Sequence, residues 1–120
     1  MNLDTMNEQE VFDAASNHLI QQKVPSMDSD GECVYRGKGG LKCAAGIFIP
    51  NEKYDPSFEY LIWATVASTL GLFDKHTSFI LKLQDLHDRA SLEEENYLKE
   101  LKHLLSKFAK EHNLKFQGEQ

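Results

Sequence analysis

Positively charged side chains and glycines occur together near position 40, and this combination could bind an anion. Arg36, Lys38 and Lys42 follow one another with no acidic residue between them, and the intervening segment is rich in glycine. Glycine amides can turn towards a phosphate, arginine offers a forked pair of donors, and a tyrosine ring can stack on a planar group. The predicted anion site comprises Tyr35, Arg36, Gly40 and Lys42. The alternative is a solvated turn in which the glycines only reverse the chain.

A second set of polar residues, Gln84, His87 and Asp88, has the spacing of one helical face. Asp88 could orient the imidazole of His87 while Gln84 contacts a ligand, and His18 on the first predicted helix is a further candidate ligand-binding residue. The alternative is that both histidines lie in the core, because a half-buried histidine needs a hydrogen-bond partner in either case. A histidine–aspartate metal phosphohydrolase would need further ligands that the sequence does not supply.

Two cysteines, Cys33 and Cys43, could form a metal site with His18 and His87. They lack the closely spaced cysteine pair of most structural zinc sites, so we expect no metal and no cofactor. No export signal precedes them, which favours a reducing cytoplasm and free thiols. We also expect the two sulfur atoms to face opposite sides of a hairpin and not to pair.

The elements that must position these residues are mostly helical. A capping box at Thr5–Glu8 and an apolar stripe predict a helix over 7–22. Further helices are predicted over 58–71, from Thr77 or Ser78 to 90, and after a second capping box at 91–94, to about 112.

Between the first two helices, the segments 33–36 and 41–45 read as two short strands around the glycines, with Arg36 opposite Leu41. The expected fold class is therefore α+β: about four helices, with one small β-hairpin inserted after the first.

Length and composition predict one domain over 1–120, with 1–6 and 115–120 frayed. The net charge of −6 argues against general nucleic-acid binding, which depends on phosphate neutralisation. The longest apolar stretch, 60–73, is too short to span a bilayer, so we expect no membrane association.

The central motif reads Cys33-x-Tyr35-Arg36-x-x-x-Gly40-Leu41-Lys42-Cys43-Ala44-x-Gly46-x-x-Ile49-Pro50-x-x-x-Tyr54, and Leu83-Gln84-x-x-His87-Asp88 follows later. Both segments resemble a family of small bacteriophage and prophage proteins, and the resemblance extends over about 8–114. The resemblance carries no activity. It implies an accessory role in the cytoplasm of an infected host.

These observations predict a binding protein rather than an enzyme, one that captures a small anionic ligand such as a nucleotide signal or blocks a host factor. One alternative is a protein–protein inhibitor that uses acidic helices, including 93–95, and a homodimer through the last helix is possible. Another alternative is a small hydrolase that uses His87 and Asp88 on a nucleotide.

Overall fold

A computed structural model describes residues 3–72 and 75–118, and in these residues the fold is all-helical. The four α-helices are α1 (Glu8–Gln22), α2 (Trp63–Thr69), α3 (Thr77–Ala90) and α4 (Tyr97–Glu111). Four short 3-10 turns accompany them, at Leu3–Thr5, Gly46–Phe48, Asn51–Lys53 and Pro56–Tyr60. None of the helices in the described part of the chain is long and apolar enough to cross a membrane.

The predicted β-hairpin is wrong, because the described residues contain no β-strand. The chain reverses instead through an isolated antiparallel bridge between Arg36 and Lys42, one residue away from the predicted pairing with Leu41. Gly39 and Gly40 both have positive φ and make the turn. Beyond the turn, residues 43–49 enter the core and form a 3-10 turn rather than a returning strand.

The first helix is confirmed in place, but its capping box lies later than predicted. Asn7 is the N-cap: its side chain accepts from the Glu10 backbone N–H, and the Glu10 carboxylate accepts from the Asn7 backbone N–H. The predicted inner stripe is buried and includes Val11 and Leu19. Lys23 ends the helix in the left-handed region, with φ 69°.

The helix predicted over 58–71 is divided into two pieces. Pro56–Tyr60 forms a 3-10 turn capped by Asp55, and α2 begins only at Trp63. Leu61 and Ile62 between them are extended. The division allows Phe58 and Trp63 both to be buried.

Helices α3 and α4 run antiparallel, as contacts of the Phe79 ring near the start of α3 with Phe108 and His112 at the end of α4 show. The predicted second capping box does not start α4. Ser91 instead ends α3, and α4 begins at Tyr97 after a short connection. Phe12 of α1 stacks on Phe108, which joins α1 to this pair.

Residues near both ends of the described chain make hydrogen bonds to other parts of the protein, and the fraying of 1–6 and 115–120 stays a prediction. His76 donates from Nε2 to the Met6 carbonyl at 2.7 Å, and the Gln9 side-chain amide bonds the backbone N–H and carbonyl of Lys115 at 2.9 Å each. Phe116 packs edge-on against Phe12. Residues 1–2 and 119–120 lie outside the described residues.

Candidate functional site

The segment 33–45 and the polar face of α3 meet in space around a cavity of about 140 Å³, which we call the central cavity. Five of the residues singled out from the sequence contribute to its wall: Cys33, Tyr35, Cys43, Gln84 and Asp88. The rest of the wall comes from Val34, Glu59 and Leu61. Its charged lining is acidic, which suits a cation better than the predicted anion.

His87 is fully buried, and both nitrogens of its ring are engaged. The Ser26 backbone N–H donates to Nε2 at 3.3 Å, so the ring proton lies on Nδ1. Nδ1 in turn donates to Asp88 Oδ1 at 3.1 Å. The imidazole therefore links the backbone of Ser26 to α3, and neither of its nitrogens is free to contact a substrate.

Gln84 makes the second connection between α3 and the segment 33–45. Its Nε2 donates to Asp88 Oδ1 at 2.7 Å, and its Oε1 accepts from the Ala45 N–H at 2.9 Å. Burial acts to raise the pKa of Asp88, but hydrogen bonds from His87, Cys33 and Gln84 outweigh it and hold that pKa below its usual value. Asp88 is thus a charged acceptor on which several donors converge.

Glu59 holds the other side of the central cavity. Its two carboxylate oxygens accept from the backbone N–H groups of Tyr35, at 2.8 Å, and Arg36, at 3.1 Å. The Tyr54 hydroxyl also donates to it, at 2.6 Å. The Tyr35 hydroxyl donates to the Leu61 carbonyl at 2.8 Å, so the phenol bridges two segments and its ring is buried.

Arg36 directs its guanidinium into the protein rather than towards the glycine turn. It donates to the Gly46 and Ile49 carbonyls, the latter at 2.6 Å, and to Asn51 Oδ1 at 3.0 Å. The guanidinium also lies 5.4 Å from the centre of the Tyr54 ring. These donors satisfy carbonyls at the first residue of the 3-10 turn Gly46–Phe48 and at the residue after it, so the predicted anion site loses its forked donor.

Gln22 makes hydrogen bonds to both Lys42 and His18. The Gln22 amide bonds the backbone N–H and carbonyl of Lys42 at 2.9 Å each, and His18 Nε2 donates to Gln22 Oε1 at 3.0 Å. Burial, and secondarily Arg36, lowers the pKa of Lys42. Gly40 is exposed at the turn. Of the predicted ligand-binding residues, Tyr35, Gln84 and Asp88 line the central cavity, whereas His18, Arg36, Gly40, Lys42 and His87 do not.

Both thiols are free, as predicted, but both line the central cavity instead of facing apart. Burial raises the pKa of Cys33 to about 11 and that of Cys43 to about 12, the opposite of an activated nucleophile. Ligand atoms of Cys33, His87 and Asp88 lie within 4.8 Å of one another. A metal fits poorly there, because Nδ1 of His87 carries the proton and Nε2 is already an acceptor.

A groove of about 310 Å³ lies between α3 and α4, and none of the sequence predictions included it; we call it the α3–α4 groove. From α3 it is lined by Lys82, Asp85, Leu86 and Arg89, and from α4 by Leu104, Lys107, Phe108, Glu111 and His112. On both helices these positions recur at three- and four-residue spacing, which defines one face. That spacing was the available signal, but only antiparallel packing makes the two faces adjacent.

The cations of this groove lack ion-pair partners. Among the residues that the structure describes, the one carboxylate ion pair within 4 Å joins His87 and Asp88, so Lys82, Arg89 and Lys107 are unpaired. The ring of His112 stacks on Phe108 at 4.2 Å between centroids. The groove thus combines free positive charge with an aromatic and apolar floor.

No protein-family model, curated protein or solved structure matches this chain.

Proposed function

We propose that this chain is a non-catalytic binding protein that captures a small anionic ligand with a planar ring, such as a nucleotide, in the α3–α4 groove. The observation that carries the proposal is the set of three cations without carboxylate partners, Lys82, Arg89 and Lys107, around a groove with an aromatic floor. Its volume of about 310 Å³ lies at the lower end of the range for small-molecule sites.

The charges of the groove match the parts of a nucleotide. Arg89 offers a forked donor to a phosphate, and the lysines add point charges. Asp85 and Glu111 are acceptors that could take hydrogen bonds from sugar hydroxyls. With His112 neutral, three cations face two carboxylates, so the groove is locally positive in a protein of net charge −6.

Binding is favoured over hydrolysis by the placement of the candidate catalytic groups. His87 has no exposed surface and both of its nitrogens are used within the protein. Cys33 retains its proton at neutral pH because burial raises its pKa. The resemblance of the central motif to small bacteriophage proteins adds only the expectation of an accessory role, and the nucleotide is proposed from the groove alone.

The proposal is tested by native mass spectrometry and calorimetry with adenine and guanine mono-, di- and triphosphates, with adenosine and inorganic phosphate as partial ligands. Arg89→Ala and Lys107→Ala should each weaken binding of the tightest nucleotide at least about tenfold, the effect of losing one charge-assisted hydrogen bond. Lys99→Ala is the matched control, because it removes an exposed α4 charge outside the groove.

Raised salt should weaken nucleotide binding, since exposed charges are screened. Absence of binding across the panel would overturn the proposal. So would a nucleotide whose affinity falls equally in the Lys99→Ala, Arg89→Ala and Lys107→Ala variants, because that result would reflect net charge alone.

A further inference from the structure

A second surface, independent of the groove, has the character of a docking site. Tyr60 and Ile62 are 90% and 72% exposed, and Leu61 between them is 37% exposed. We call these three residues the 60–62 strip. Its backbone is held in place, because the Leu61 N–H donates to the Phe58 carbonyl and the Leu61 carbonyl accepts from the Tyr35 hydroxyl. Consecutive large apolar side chains kept in water by a fixed backbone are typical of an interaction surface.

The strip adjoins the central cavity, because Leu61 belongs to the wall of that cavity. Glu59 and Asp88 both line the cavity, and none of the described residues in its wall is a lysine or an arginine. The side chain of Asp88 is 45% exposed, so its charge is accessible. A volume of about 140 Å³ holds roughly four or five waters at ~30 Å³ each, or the end of one long side chain.

We infer that this surface binds an extended segment of a partner protein, in which a lysine side chain enters the central cavity and apolar neighbours cover Tyr60 and Ile62. Charge complementarity selects the lysine, since the cavity presents two carboxylates without a lining cation. The net charge of −6 steers a basic partner towards the protein and opposes pairing with a second copy. The inference does not depend on nucleotide binding in the α3–α4 groove.

The test uses a capped Leu-Lys-Leu peptide and titration followed by amide chemical shifts of the full chain. We expect saturable shifts at residues of the central cavity and the strip. Matched peptides with norleucine or glutamate in place of lysine should bind at least about tenfold more weakly, because the cavity then lacks its cation.

Two variants make the result specific to the strip. Ile62→Ser should weaken binding of the lysine peptide several-fold. The substitution preserves the fold because Ile62 is the N-cap of α2, where serine is favoured. Leu92→Ser is the control, since Leu92 is 80% exposed but does not line the central cavity. Arg89→Ala should leave peptide binding unchanged, which separates this surface from the groove.

Three outcomes would overturn the inference. The first is an absence of saturable shifts, and the second is equal affinity for the lysine and norleucine peptides. The third is concentration-dependent dimerisation that Ile62→Ser abolishes, which would make a second copy of this chain the occupant.

Discussion

At the scale of single residues, the polar side chains that were predicted to contact a ligand make hydrogen bonds within the protein. His87 connects Ser26 to Asp88, and Gln84 connects Asp88 to Ala45. Each of these bonds satisfies a group that would otherwise be costly to bury. A histidine, a carboxylate and a thiol within reach of one another can therefore serve stability alone.

Asp88→Asn should lower the free energy of unfolding by about 1 kcal/mol at neutral pH, a modest loss because nearly half of the side chain is in water. Since the folded-state pKa of Asp88 is lowered, its charge stabilises the protein above the unfolded-state pKa of about 3.9. That contribution is lost as the pH falls through the folded-state value. The difference in the free energy of unfolding between the variant and the natural protein should therefore become smaller as the pH is lowered.

Urea unfolding at a series of pH values measures this effect. Asp85→Asn, on the same helix at an exposed position, is the control and should change stability little. If the difference in the free energy of unfolding between Asp88→Asn and the natural protein stays constant down to the lowest pH, the assigned role of the carboxylate is contradicted.

At the scale of elements, side chains replace the strand pairing that the sequence predicts. Gln22 bonds both backbone groups of Lys42, and Glu59 bonds two successive N–H groups. The guanidinium of Arg36 completes the arrangement by donating to the carbonyls of Gly46 and Ile49. The segment predicted as a hairpin is thus a partly buried loop, because side chains from α1 and from the 3-10 turn Pro56–Tyr60 supply hydrogen bonds that a neighbouring strand would have given.

Gly46→Ala should destabilise the protein by about 3 kcal/mol, the upper end for overpacking. A Cβ at position 46 would lie 2.2 Å from the Tyr35 carbonyl oxygen, so two backbone segments would have to separate. Denaturant unfolding measures the loss, with Glu52→Ala in the exposed turn nearby as control. A decrease in the free energy of unfolding of less than about 1 kcal/mol would contradict this prediction, because it would show that the loop accommodates the added Cβ with little strain.

At the scale of the whole molecule, the two ends of the described chain close on each other. Gln9 bonds the backbone of Lys115, 106 residues away, and Phe116 packs against Phe12. The prediction of frayed ends at 1–6 and 115–120 did not include these contacts. Composition does not reveal that one side-chain amide can bind an otherwise unpaired segment.

Removal of 115–120 should lower the free energy of unfolding by about 2 kcal/mol, because it exposes part of the Phe12 ring and removes the two hydrogen bonds between the Gln9 amide and Lys115, leaving only the bond to Asp13. Phe116→Ala should reproduce about half of this loss. Thermal or urea unfolding measures both, with Lys110→Ala on exposed α4 surface as control. Equal stability of the shortened and complete chains would contradict the proposed closure.

The sequence by itself determined the helices α1, α3 and α4 and their buried stripes, because helical periodicity is a local property. It also indicated that the thiols stay unpaired. Only the tertiary structure decided how the remaining polar residues are used, since their partners lie far along the chain: Ser26 is 61 residues from His87, and Ala45 is 39 from Gln84. The α3–α4 groove likewise exists only where two helix faces meet, and its unpaired charges depend on that packing rather than on residue type.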